Sequence, residues 1–218
     1  MPRQGSTETP RERYRAQVRA EIKDRAWEQL ATAGASALSL NAIAKQLGMS
    51  GPALYRYYAS RDELITDLIR DAYRSLADAF HAAAHGGPDL RALGHALRDW
   101  ALADPQRYFL VYGTPVPGYH APQDTTTVAA EIMTTLLDAC AALPARTDTP
   151  SAVRLAAHLS AHRDWAADHP APPGALHRAL TFWTRLHGTL SLELAGQFTG
   201  MGFDAEQLFA AELDDLLA

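Results

Sequence analysis

Cysteine is almost missing from this sequence: Cys140 stands alone among 218 residues. One thiol forms no internal disulfide and no zinc-binding cluster, so neither a stapled secreted scaffold nor a zinc module is expected. Long apolar runs are missing too. None reaches the ~18 residues a membrane helix needs, and the opening MPRQGSTETPRERYR has no apolar core of the kind a secretory signal requires. The expectation is a cytoplasmic protein with no membrane association. The apolar–polar alternation that marks sheet is wanting, as are repeats and low-complexity tracts beyond the polar first ten residues. No nucleophile motif, glycine-rich phosphate loop or metal triad appears, so no enzyme and no cofactor is expected.

What is present is ordinary for a globular chain, with 47% hydrophobic and 21% charged residues. The charge is unevenly spread. Residues 1–60 hold nine Lys or Arg against five acids, a balance of +4 inside a total of −5, which leaves −9 for the rest. A basic head on an acidic body fits an anionic partner for the head alone, although an ordinary N-terminal arm reads the same way on charge.

The patterning is helical nearly throughout. Tyr14, Val18, Ile22, Ala26 and Leu30 recur every four residues as one apolar stripe ending at Gly34. Ser39 is placed to cap a short second helix that Gly48 stops, and Ser50 to cap a third with Pro52 in its first turn. Ser60 and Glu63 have capping-box spacing and open a long helix to about Ala84. Beyond HGGPD (85–89), helices are expected at about 89–103, 105–112, 124–142, 150–168, 173–198 and 204–217. The segment Gly113–Pro122 has three prolines, which forbid continuous helix there. The fold expected is all-α, with about nine to ten helices. Its domains are a disordered arm at 1–10, a helix-turn-helix domain at 11–60 and a larger helical domain at 61–218.

The stretch LGMSGPALYRYYASRDEL places Tyr55, Arg56, Tyr57 and Tyr58 just past a glycine turn. Two short helices joined at Gly48-Met49-Ser50 have a helix-turn-helix layout. Leu54 and Tyr58, four apart, share its buried face, which leaves Ala53, Tyr55, Arg56 and Tyr57 pointing outward or flanking it. A helix that shows tyrosines and an arginine from a rigid platform has the form of a major-groove reader. Tyrosine hydroxyls and Ser50 can donate to phosphates, and Arg56 can fork onto a guanine edge.

The segment ALSLNAIAKQLGMSGPALYRYYASRDELITDLI resembles the DNA-binding domain of TetR-family transcriptional regulators. Its marks are Leu54-Tyr55-x-Tyr57-Tyr58 and the basic Arg61 that opens the next helix. TFWTRLHGTLSLELAGQF (181–198) is similar to a Trp…His-Gly variant of that family's ligand domain. The resemblance implies an all-helical homodimer that binds a palindromic DNA operator, as a repressor or an activator, and releases it when a small molecule enters the larger domain. It also implies DNA contacts at Ser39 and Asn41, at base-facing Gly51, Pro52 and Ala53, and at backbone-gripping Tyr55, Tyr57 and Arg61, with Lys45 as a neighbour. Gly51 departs from the pattern, having no side chain where many relatives carry a polar reader. Specificity then leans on Arg56, on Ala53 against a thymine methyl, and on DNA shape. The N-terminal arm, with Arg3, Arg11, Arg13 and Arg15, reads equally as a minor-groove arm or a solvated tail.

In the larger domain the candidates to line a pocket for an apolar or aromatic effector are Trp100, Tyr108, Tyr112, His162 and Trp165. The dimer candidates are Leu176, Leu180, Trp183, Leu190 and Leu194 on the penultimate helix, and Phe209, Leu213 and Leu216 on the last. Two i, i+4 histidine pairs, His81/His85 and His158/His162, have metal-ligand spacing, but no third ligand accompanies either, so no metal site is expected. The alternative function is a DNA-binding or partner-binding helical protein with no effector, its core filled by its own aromatics.

Overall fold

The computed structural model describes residues 9–116, 118, 119, 122, 125–144, 149–166 and 168–218. Arg3 with most of the arm, and Pro117 in the proline-rich loop, lie outside the described residues. Among the described residues there are ten α-helices, two short 3₁₀ turns and no strand. The chain divides into two compact units. The first runs to Ile69 and takes in the Thr114–Ala121 segment; the second comprises Arg70–Gly113 and Pro122–Ala218.

The first unit is built on α1 (Pro10–Ala33), whose start is a complete capping box. Thr9 Oγ1 accepts from the Glu12 amide, and the Glu12 carboxylate accepts from the Thr9 amide at 2.7 Å. Val18, Ile22, Ala26 and Leu30 form its buried face. Tyr14 does not join them, being 64% exposed. Every residue from Thr9 to Gln17 is exposed, so the first turns of α1 overhang the bundle and the stripe begins one turn late. Next come α2 (Leu40–Gln46), α3 (Gly51–Leu54) and α4 (Arg61–Ala83), which carries the boundary between the units. Ile43, Leu54, Tyr58, Leu64, Ile65 and Leu68 close this core. From the Thr114–Ala121 segment, the Tyr119 hydroxyl lies 3.0 Å from Thr66 Oγ1 on α4.

The second unit packs the later half of α4 with α5 (Leu90–Ala103), α6 (Pro105–Tyr112), α7 (Thr125–Ala142), α8 (Pro150–Ala161), α9 (Pro173–Leu194) and α10 (Ala205–Leu217). Asp89, Asp104, Thr149 and Asp204 cap α5, α6, α8 and α10 through their side chains. The close approach of α10 to α5 depends on Gly94, where a Cβ would lie 2.7 Å from a Leu213 methyl. Arg98 and Glu193 join α5 to α9 in a bidentate pair at 2.5 and 2.9 Å, with the guanidinium over the Phe209 ring. Buried Arg178 donates to the Cys140 and Pro144 carbonyls at the end of α7.

Two helices end earlier than the apolar pattern implies. The chain leaves α8 at His162, and Arg163 winds the following loop by donating to the His169 and Ala171 carbonyls. After α9, Gly196 at φ +72° lets its own amide bond Glu193 O and the Gln197 amide bond Leu192 O, a Schellman closure that apolar spacing does not reveal.

Candidate functional site

The helix-turn-helix is set by local chemistry. Ser39 Oγ accepts from the Ala42 amide at the start of α2. At its end Gly48, at φ +65°, allows the Gly48 amide to reach Lys45 O and the Met49 amide to reach Ala44 O at 2.9 Å. Ser50 Oγ then accepts from the Ala53 amide, and Pro52 sits where no donor is needed. Regular α3 is one turn long, continued by turns through Tyr57.

Leu54 and Tyr58 are fully buried, as their spacing predicts. Ser39, Gly51, Ala53 and Tyr57 are half-buried, while Asn41, Lys45, Ser50, Pro52, Tyr55 and Arg56 are exposed. The exposed set crosses from α2 to α3, which gives one polar and basic surface.

Behind that surface is a brace the sequence reading misses. Arg15 donates to the Arg56 carbonyl at 3.2 Å and Arg19 to the Tyr57 carbonyl at 3.1 Å, so α1 holds the end of the reading segment. Arg19 also lies over the Tyr58 ring and pairs with Asp67, which accepts from Tyr58 Oη. Arg61, read as a phosphate grip, donates to the Ala35 carbonyl at 2.6 Å, so its guanidinium is already engaged within the unit. Glu63 completes only half the expected capping box: Ser60 caps it, but its carboxylate accepts from the Ala59 amide. The brace pairs residues tens of positions apart, which spacing cannot signal.

In the second unit Trp100, Tyr108 and Tyr112 come together, with ring centroids 5.5–6.4 Å apart. Trp183 and His187 from α9 join them: each ring lies within 6 Å of Tyr112, and they are 4.3 Å from one another. Their i, i+4 spacing on α9, matching Tyr108 and Tyr112 on α6, is the sequence signal for the cluster. Tyr73 meets Tyr112 edge-on. Trp165 packs elsewhere on the core's edge, its indole nitrogen buried without a partner among the described residues.

His162 is corrected: it is exposed and stacks on His158 outside the aromatic cluster. Among the described residues no group of three His, Cys, Asp or Glu can hold a metal ion, and no helix is long and apolar enough to cross a membrane.

The dimer candidates divide. Leu176, Leu190, Phe209, Leu213 and Leu216 are at most 1% exposed and fill the protomer's own core, which removes them from any interface. Leu180, Trp183 and Leu194 are only partly buried. Thr184, Gly188 and Leu192 form the exposed face of α9, and a Cβ on Gly188 would meet nothing of its own chain.

Residues 22–68 match the family model for bacterial regulatory proteins of the tetR family, and residues 90–216 match the tetracyclin repressor-like C-terminal domain. The HTH-type transcriptional regulator Rv1816 of Mycobacterium tuberculosis is 37% identical, with 88% of this chain and 90% of that protein aligned. Among solved structures, a candidate regulatory protein, SCO4313, is 71% identical with TM-score 0.88, covering 96% of this chain and 99% of that one. The TetR-family regulator PfmR of Thermus thermophilus shares the fold at 17% identity, with TM-score 0.56 and 90% and 96% of the two chains covered. The relatives named are regulators, and the C-terminal match is to the tetracyclin repressor-like domain at the level of the family. With a helix-turn-helix in the first unit and family models matched over both units, the chain belongs to the TetR family of transcriptional regulators.

Proposed function

We propose that this regulator binds a palindromic operator as a homodimer in the cytoplasm, represses transcription there, and is released by a small, largely apolar molecule held in its second unit. One observation carries the DNA side of this reading. Leu54 and Tyr58 are sunk in the core while Pro52, Tyr55 and Arg56 stand out from it, so α3 is anchored by one face and free on the other. Ser39, Asn41, Lys45, Ser50, Gly51, Pro52, Ala53, Tyr55, Arg56 and Tyr57 supply the contacts. Arg61 acts by holding Ala35, and reaches phosphate only by giving up that bond.

A two-fold pair is needed to set two reading helices in successive grooves ~34–36 Å apart. The open face of α9 at Thr184, Gly188 and Leu192, with Leu180 and Leu194 beside it, supports the partner contact. The aromatic cluster of α5, α6 and α9 supports effector binding. Release then follows from differential affinity: an effector that prefers a conformer with wrongly spaced reading helices lowers operator affinity by that preference.

The test is selection of bound duplexes from a random pool, followed by titration of the selected site. A two-fold symmetric consensus bound by the dimer is expected. Indifference to duplex DNA at low ionic strength would overturn the reading.

A further inference from the structure

The buried stripe of α1 continues past the point where the bundle ends. Val18 is its first buried member, and the positions three, four and seven residues before it are Arg15, Tyr14 and Arg11. That spacing puts all four on one face of the helix. Arg15 fixes where the face lies. Its guanidinium donates to the Arg56 carbonyl at 3.2 Å and sits 5.6 Å from the centre of the Tyr57 ring, so the overhanging stripe runs beside the end of the reading segment. Tyr14 and Arg11 follow within about one further turn, ~5.4 Å along the axis. Both are exposed, Tyr14 at 64%, and neither side chain has a hydrogen-bonding or ionic partner among the described residues.

The bare part of the face presents a cation and a phenol, and it continues a surface that already shows Asn41, Lys45, Tyr55 and Arg56. A guanidinium and a phenolic hydroxyl both donate, so the fitting occupant is an acceptor-rich anion, and phosphate oxygens answer that description. A second copy of this face does not fit, because residues 1–60 carry +4 and would meet their like. The helix terminus is not the binding group either. Thr9 already satisfies the Glu12 amide there, and Glu12 adds a carboxylate of its own. The grip belongs to side chains.

We propose that the overhang of α1 is an ordered arm that grips the sugar–phosphate backbone of the operator beside the bases read from α3, with Arg11 and Tyr14 each on a phosphate oxygen. The proposal rests on the operator-binding reading and adds to it contacts from a helix outside the helix-turn-helix. Arg13 supplies an internal control. It carries the same charge and is likewise exposed, but it stands about 200° round the helix from Arg11 and so faces away from the stripe.

The test measures binding of the full chain to the selected operator across a salt series by fluorescence anisotropy, with phosphate-ethylation interference to show which phosphates are held. Arg11→Ala should lower affinity about tenfold at low salt and reduce the slope of log K against log salt by about one for each protomer bound. It should also lose interference at one phosphate in each half-site. Tyr14→Phe should lower affinity about threefold with the slope unchanged, because no charge is removed. Arg13→Ala should keep the interference pattern and change affinity by less than about twofold. Equal losses for Arg11→Ala and Arg13→Ala would mean diffuse attraction and overturn the proposal, as would an interference pattern that Arg11→Ala leaves intact. Wild-type protein indifferent to duplex DNA takes the operator reading down with the arm. Tight wild-type binding that Arg11→Ala and Tyr14→Phe leave unaltered removes the arm alone.

Discussion

Tyr58 donates its phenolic proton to Asp67 over 2.6 Å, and Arg19 donates to the same carboxylate oxygen over 3.0 Å. One carboxylate thus ties α1, the end of the reading segment and α4. Burial works against the charge on Asp67, yet the Tyr58 hydroxyl and the Arg19 guanidinium hold its pKa below the usual carboxylate range. The same burial, with the charge of Asp67, pushes the Tyr58 phenol up.

Asp67→Ala should therefore cost about 1–2 kcal/mol in urea unfolding, discounted because Arg19 and Asp67 keep some solvent. Operator affinity should fall further than that loss of folded protein explains, because Arg19 would no longer be held against the Tyr57 carbonyl. Tyr58→Phe should be milder, since Asp67 keeps Arg19. A substituted protein with unchanged stability and unchanged affinity would reject the brace.

Arg56 and Lys45 are both exposed, but they occupy different places. Arg56 stands on the reading segment and Lys45 on the last turn of α2. Arg56→Ala should relax base preference at particular operator positions by about 1–3 kcal/mol. Lys45→Ala should weaken all duplexes alike and reduce the slope of log K against log salt by about one. Identical salt slopes for wild type and Lys45→Ala would remove Lys45 from the phosphate contacts.

The helix-turn-helix was legible because everything that makes it is local. Gly48 is three residues from Lys45, and Ser50 is three from Ala53; each acts on a backbone group the spacing already names. The brace was illegible because Arg19 meets Asp67 across 48 positions. Burial within the helical core was illegible for another reason. Leu213 and Leu192 are both leucines on amphipathic helices, but only the fold shows Leu213 filling the space above Gly94 while Leu192 stays 47% exposed. His187 presented a similar problem, since its ring partner Tyr108 is 79 residues away.

That difference between leucines makes the proposed dimer face testable. Leu192→Asp and Gly188→Leu alter the exposed face of α9 and touch little of their own chain, so each should give a folded monomer by light scattering at micromolar concentration. Leu213→Ala should leave assembly intact where the protein is folded, but lower stability by about 2–5 kcal/mol, the usual cost of a buried leucine cavity. A Leu192→Asp protein that remains dimeric would move the interface off this face.

His187 supplies the last prediction. Its ring is buried among Tyr108, Tyr112 and Trp183, and burial lowers its pKa from 6.5 to about 4. The unfolded chain protonates this histidine near pH 6.5, whereas the folded chain resists until about pH 4. Between those values the unfolded state binds more protons, so acid favours unfolding. The stability tied to the neutral ring is complete above pH 6.5, declines as pH falls toward 4 and levels off below. The interval corresponds to roughly 3 kcal/mol. Replacing the imidazole with the non-titrating amide in His187→Gln should flatten the decline, so the stability difference between the two proteins should change by about that amount across the window. Parallel stability curves from pH 7 to 4 would mean that the ring takes up its proton in the folded state and is solvated there.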